Sequence, residues 1–144
     1  MLPRMIVLGI ESSCDETAVG IVEDGYKLRS NTVRSSVDLH AKYGGVVPEI
    51  AARSHIEVII PVIEQSLEDA GLTWDDIDAI AVTYGAGLNG SLLIGVLAAR
   101  TLAIVKKKPL YAANHVVGHI YANFLTETRL PGYQIRSAQP EFPM

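Results

Sequence analysis

The chain has 144 residues and a mass of 15.5 kDa, the size of one ordinary domain, which excludes a multidomain machine. Apolar residues make up 49% and charged residues 19%, with a mean hydropathy of +0.24, so the composition can bury a full core and is too apolar for intrinsic disorder. Twelve Lys and Arg against sixteen Asp and Glu give a net charge of −4, which rules out a polycation. The charge is uneven: residues 100–144 carry six basic and two acidic groups, +4, leaving −8 for residues 1–99. One end could tolerate a polyanion without the composition demanding one. The single cysteine, Cys14, cannot form an internal disulfide. The opening Met1-Leu2-Pro3-Arg4 is not a charged segment leading into an apolar one, so a reducing cytoplasm is the expected compartment. Residues 79–99 are uncharged, but Gly85, Gly87, Asn89, Gly90 and Ser91 fall in their middle. A bilayer would leave that turn backbone unsatisfied, so no membrane span is expected.

Met5–Ile10 and Thr17–Val22 are short apolar runs and Tyr26–Val33 alternates loosely. Glu23-Asp24-Gly25 between the second and third is a hairpin signal, so three antiparallel strands in a meander are expected. Residues 35–47 follow as a loop pivoting at Gly44-Gly45. From Pro48 the period becomes helical, with Ala52, Ile56, Ile59, Ile63, Leu67 and Ala70 on one stripe. Pro48 suits the first turn and Gly71 the stop, and Pro61 predicts a bend near residues 57–60. A second stripe, Ala51, Val58 and Val62, lies round the wheel and predicts a second packing partner. Ile77–Thr83 reads as a buried strand, and the glycine turn at 85–90 leads into a helix over Ser91–Lys106 that is apolar nearly all round. Pro109–Ala113 forms a short strand and Asn114–Leu125 a helix. Residues 126–144, rich in proline, read as a linker or an unfinished element. The order β-β-β-α-β-α-β-α predicts an α/β fold over residues 5–125, with a mixed five-stranded sheet and helices on its faces. That order matches one lobe of the actin-like ATPase fold, itself a ribonuclease-H-like unit.

Three stretches could carry chemistry. Gly9–Thr17 joins two strands through a polar turn holding Glu11, Ser12, Ser13, Asp15, Glu16 and Thr17. It is either a hairpin loop bonding its own backbone or a phosphate or metal–phosphate turn, with hydroxyls and N–H groups on the oxygens and a carboxylate orienting water or a cation. Cys14 is expected to be small and semi-buried rather than a nucleophile. His115 and His119 sit at i and i+4 on a helix, where two imidazoles can share one metal, although one could instead cap or pack while the other is solvated. Val116 occupies the position where a zinc protease needs its general base, which removes that reading, and two ligands require a third from elsewhere. Gly85-Ala86-Gly87-Leu88-Asn89-Gly90-Ser91 could cradle phosphate at a helix N-terminus, but it lacks the Lys-Ser/Thr of a Walker A loop, and close helix–strand approach explains its glycines better. Lys106-Lys107-Lys108 suits a solvated helix end, with contact to RNA as the lesser alternative.

Taken in order, Gly9–Thr17, the block His40-Ala41-Lys42-Tyr43-Gly44-Gly45-Val46-Val47-Pro48-Glu49-Ile50-Ala51-Ala52-Arg53-Ser54-His55, the turn Gly85-Ala86-Gly87-Leu88 and His115-x-x-Gly-His119 resemble the N-terminal lobe of the tRNA adenosine threonylcarbamoyltransferase family, formerly described as O-sialoglycoprotein endopeptidases. The resemblance implies an enzyme that moves a threonylcarbamoyl group from its adenylate, threonylcarbamoyl-adenylate, to N6 of adenosine 37 in tRNAs reading codons that begin with A. It implies a divalent metal, usually taken as iron, on His115 and His119, with Ser12 and Ser13 at the substrate phosphate and Asp15 and Glu16 as catalytic acid/base or orienting groups. Val117 stands where bacterial members usually have Glu, a position that is not a metal ligand in the family, and Ala86 where Pro is common in the glycine turn, a change expected to be harmless. Family members are more than twice as long, so the chain is expected to be the N-terminal part and inactive alone. The endopeptidase label has no support in these residues.

The alternative is a non-catalytic scaffold. The family has a shorter paralogue with the same lobe that dimerises with the transferase and lacks the histidine pair; His115, His119 and the 43–53 block favour the enzyme. A sugar or acetate kinase of the same superfold is a distant third. Expected partners are tRNA, the scaffold paralogue and, in bacteria, an associated ATPase. In the paralogue's absence, a homodimer through helices 48–70 and 91–106 is expected, with Val58 or Val62 in the contact.

Overall fold

A computed structural model describes residues 3–125; the expected linker at 126–144 lies outside the described residues. Five strands, β1 (Ile6–Glu11), β2 (Glu16–Glu23), β3 (Lys27–Ser35), β4 (Ala79–Gly85) and β5 (Leu110–Asn114), form one sheet in the order β3-β2-β1-β4-β5. The first three make the expected antiparallel meander, turning at Asp24 and Gly25, both with positive φ. β4 runs parallel to β1 and β5 parallel to β4. The sheet is therefore mixed, and the carboxyl ends of β1, β4 and β5 share one edge. Among the described residues this is one lobe of the ribonuclease-H-like fold.

Alternation decides which face is covered. Ile6, Leu8 and Ile10 of β1 and Val19 and Ile21 of β2 are buried, and register places Leu8 beside both Ile21 and Ile80. Helix α2 (Pro48–Ala70) packs across β2 and β3, and helix α3 (Asn89–Lys106) across β4 and against α2. Both long helices thus lie on one face. α3 is long and apolar enough to cross a membrane by length and composition; Leu92, Gly95, Ala99 and Ala103 turn inward, but Leu93, Leu97, Ile104 and Val105 are exposed, so the helix is buried along one face and not all round as expected. Two short helices complete the described chain: α1 (Val37–His40), followed by a 3₁₀ turn at Ala41–Tyr43, and α4 (His115–Tyr121), followed by another at Ala122–Phe124. The loop expected at 35–47 therefore contains a helical turn and a half, and the helix expected over 114–125 tightens to 3₁₀ geometry at its end. A further 3₁₀ turn, Trp74–Asp76, carries a Thr73–Asp76 capping box, so strand pairing begins at Ala79 rather than Ile77.

Ile59, Ile63 and Leu67 of α2 are buried as expected, but the buried face extends beyond that stripe. Ala51 and Val62 are fully buried, Val58 packs partly on the same core, and Ile56 and Ile60 are 61% and 48% exposed. The expected second stripe is therefore the lobe's own core and not a docking face. The cause is a polar component of the buried stripe: His55, Ile59, Val62 and Ser66 follow at helical spacing, and both polar members are buried. Ser66 Oγ bonds Ser30 Oγ at 2.6 Å and the Val19 carbonyl at 3.2 Å, which satisfies a hydroxyl that the pattern alone puts in water. The helix runs unbroken through Pro61, which is exposed, so water can reach the Glu57 carbonyl left without its helical donor.

Val62→Asp would bury a carboxylate against Ile and Leu side chains and is expected to cost several kcal/mol, enough to unfold a lobe of this size. Ile60→Asp, one helical step away on the solvent side, is expected to leave the melting transition within about 0.5 kcal/mol of wild type. Circular dichroism melts of the two variants check this.

Candidate metal centre and strand turn

The candidate residues gather at the shared carboxyl edge of β1, β4 and β5, the edge where open α/β sheets place their ligands. β1 ends at Glu11 and β2 begins at Glu16, so residues 12–15 form a tight turn beside the start of α3. Ser12 is fully buried and its Oγ donates to the Ser91 carbonyl at 2.8 Å, fastening the turn to α3. The hydroxyl expected at a phosphate is thus turned inward. The Leu88 N–H donates to the Ser13 carbonyl at 2.7 Å, a second fastening. Two glycines permit this approach: a Cβ on Gly87 would stand 2.6 Å from the Ser13 carbonyl oxygen, and one on Gly95 would stand 2.4 Å from Ser12 Oγ. Close helix–strand approach is therefore what the glycine turn provides.

β5 hands over to α4 at Asn114, whose side chain caps the helix by accepting the N–H groups of Val116 and Val117 at 2.9 and 3.2 Å. This cap fixes where His115 and His119 leave the helix. Their Nε2 atoms are 2.9 Å apart and the rings meet edge to face at 82°. His115 Nδ1 lies 3.1 Å from Glu11 Oε2 and 3.2 Å from Ser13 Oγ. A carboxylate can only accept, so Nδ1 carries the hydrogen and the His115 Nε2 lone pair faces His119. This is the carboxylate–histidine arrangement that orients metal-bound imidazoles.

Glu11 is central. Burial alone would push its pKa up, but hydrogen bonds from Ser13, Thr83 and His115 outweigh that and hold it below the ordinary carboxylate range. Thr83 Oγ1 donates to Glu11 Oε2 at 2.7 Å and the Ser13 N–H to Oε1 at 2.5 Å. Glu11 therefore stays ionised and available to His115. A shallow cleft of about 190 Å³ opens here, lined by Glu11, Thr83, Asn114, His115 and His119 among others.

The structure brings Ser13, His115 and His119 together and leaves Asp15 and Glu16 apart. Asp15 is half-buried and Glu16 exposed, and no hydrogen bond ties either carboxylate to the histidine pair. Burial raises the Cys14 thiol's pKa, and the neighbouring Asp15 charge raises it further, so it stays protonated and is no nucleophile. Among the described residues no group of three His, Cys, Asp or Glu side chains could close a metal site; the two imidazoles fit a metal that takes its other ligands elsewhere. In the sequence Glu11 counts only as one of the turn's three carboxylates, and nothing there marks Thr83. The signal for Glu11 was its place at the last residue of the central strand.

Fold and site define a ribonuclease-H-like lobe with a carboxylate-oriented histidine pair at its strand ends. Residues 27–139 match the sequence profile of tRNA N6-adenosine threonylcarbamoyltransferase. The chain is 57% identical over 140 residues to the tRNA N6-adenosine threonylcarbamoyltransferase of Thermomicrobium roseum, covering 97% of this chain and 37% of that protein. It is 55% identical over 143 residues to the protein of that name from Symbiobacterium thermophilum, covering 99% of this chain and 39% of that protein. Among solved structures, YeaZ from Pseudomonas aeruginosa superposes with a TM-score of 0.56 at 19% identity over 76% of this chain and 43% of that one, a likeness of fold. The chain belongs to the tRNA N6-adenosine threonylcarbamoyltransferase family, and it spans less than two-fifths of the length of these relatives.

Gly87→Ala forces backbone against backbone at the Ser13 carbonyl and is expected to destabilise the lobe by about 1–3 kcal/mol, whereas Gly45→Ala, with open space around its Cβ position, is expected to change stability by less than about 0.5 kcal/mol. Urea unfolding of both variants measures the contrast.

Proposed function

We propose that this chain is the metal-binding lobe of an enzyme that transfers a threonylcarbamoyl group from threonylcarbamoyl-adenylate to N6 of adenosine 37 in tRNAs reading codons that begin with A. The observation that carries the reading is the Glu11–His115–His119 relay, which a scaffold without catalysis has no use for. His115 and His119 would hold the divalent metal through Nε2; two imidazoles suit iron, zinc and related ions alike, and iron is the expected one. Bound there, the metal would supply Lewis acidity toward the threonylcarbamoyl carbonyl. Glu11 holds the His115 tautomer and compensates the charge that collects on the ring. Ser13 takes the place beside the reacting group, with its N–H held by Glu11 and its Oγ on His115; Ser12 supports it from below. Asp15 and Glu16, at the crest of the turn, are the candidates for orienting the adenylate and accepting the proton that the attacking amine loses. Cytoplasmic tRNA is the macromolecular substrate.

Calorimetric titration with cobalt or anaerobic ferrous ion is expected to show loose binding, consistent with two protein ligands. His115→Ala and His119→Ala should each abolish it, and Glu11→Gln should weaken it about tenfold or more. Tight binding that survives His115→Ala disproves the assignment. The same sample, given threonylcarbamoyl-adenylate and unmodified tRNA, is expected to yield no modified adenosine by mass spectrometry, because two ligands without a second cleft wall cannot position both reactants.

The partners proposed are the scaffold paralogue of the same fold and, in bacteria, an associated ATPase. Helices 48–70 and 91–106 provide the surface through Ile56, Ile60, Leu93 and Leu97, all about half exposed or more, and without the paralogue they are expected to pair two copies of this chain. Light scattering at tens of micromolar (roughly the range that fills a modest interface) should give a dimer for wild type and a monomer for Ile60→Asp.

A further inference from the structure

Two histidines outside the metal pair, His40 and His55, are 2% and 1% exposed. An imidazole that deep persists only when both ring nitrogens are satisfied. His55 Nε2 lies 2.8 Å from the Cys14 carbonyl oxygen and Nδ1 lies 2.6 Å from Thr17 Oγ1. A carbonyl only accepts, so Nε2 carries the hydrogen and, in the neutral ring, Nδ1 accepts the Thr17 hydroxyl proton. At His40 the Val47 N–H donates to Nδ1 at 3.2 Å, so the hydrogen again sits on Nε2, which donates to Ser36 Oγ at 3.0 Å. Ser36 Oγ then donates to the Asp15 carbonyl at 2.8 Å, beside the Ser36 N–H at 2.9 Å.

Both paths end on consecutive carbonyls of the same turn. With Leu88 on the Ser13 carbonyl, residues 13, 14 and 15 are each held by a different part of the fold: the entry to α3, the buried face of α2 and the entry to α1. Because each peptide is planar, fixing the carbonyls also fixes the direction of the amides that follow them. The turn that carries Ser13, Asp15 and Glu16 is therefore set from beneath, and the setting requires particular ring tautomers. A leucine at residue 55 would fill the volume but leave the Cys14 carbonyl without its donor.

We propose that His55 and, through Ser36, His40 are positioning residues of this turn, holding its backbone so that Ser13 stays beside His115 and Asp15 and Glu16 keep fixed places further along it. The proposal rests on the transferase reading only for what the turn serves; its geometric claim concerns the turn itself.

Two-bond proton–nitrogen correlation spectra of the 144-residue chain read the ring tautomers directly, and both His40 and His55 are expected as Nε2–H. The Ser13–Glu16 amide resonances are expected to keep their wild-type positions in His55→Gln, whose side-chain amide can donate to Cys14 and accept from Thr17. In His55→Leu they are expected to move while those of β3 and the distal half of α3 stay. An Nδ1–H tautomer at either histidine, or unmoved turn resonances in His55→Leu, overturns the proposal. Should His55→Leu fail to fold, Ser36→Ala, which removes the hydroxyl between His40 and the Asp15 carbonyl, decides: moved Asp15 and Glu16 amide resonances support the network and unmoved ones overturn it. No metal or substrate is present in these samples, so failure of the titrations above leaves this result standing, and the reverse.

Discussion

The close approach of the β1–β2 turn to the start of α3 is the constraint on which the site depends. It exists because residues 87 and 95 carry no side chain and because Ser12 sends its hydroxyl into α3 rather than into the cleft. The seam is polar as well as tight. A turn seated against an apolar surface could slide by a fraction of an ångström at little cost, whereas one whose carbonyls each meet a fixed donor cannot. Everything the site presents, from the Glu11 carboxylate to the crest at Asp15, is indexed to that seam.

The charge arrangement follows from the same geometry. Glu11 is half-enclosed, which by itself would favour the neutral acid, yet three donors converge on it from β4, α4 and its own turn. A carboxylate kept ionised in this way polarises His115 and leaves its second nitrogen as a donor of electrons. The pair of imidazoles is thus held in one orientation by the protein's own hydrogen bonds, so a ligand taken up there would not have to order the rings.

Much of the architecture was legible. Alternation and Asp24-Gly25 gave the meander, helical periodicity gave α2 and α3, and the i, i+4 histidines gave the facing imidazole pair. What escaped was polar burial. His55 and Ser66 look like solvent positions in a hydropathy pattern, so the buried face of α2 reads narrower than it is and Ala51, Val58 and Val62 read as a separate stripe. The helical turn at Val37–His40 escaped because four residues carry no periodicity. Glu11 and Thr83 escaped as a pair because their meeting depends on parallel pairing of β1 with β4, and a sequence shows alternation along one strand but not which strand lies beside it. Ser12 was given the wrong neighbour for a related reason: a hydroxyl in a turn can face either way, and only the glycines of another segment decide.

The hydrogen bonds around the histidine pair join residues far apart in the chain: Glu11 to Thr83 across 72 residues, Glu11 to His115 across 104 and Ser13 to His115 across 102. The β1–β2–β3 meander, by contrast, closes through short loops. Loop-closure entropy therefore falls unequally, lightly on the meander and heavily on the site. No partly folded form containing the meander alone can hold the Glu11–His115 contact, so the centre comes into being only with the last long-range closure. By linkage, anything that bound the organised pair would draw the β1–β4–β5 half toward the folded state, so occupancy of the site would be felt first in that late-closing half.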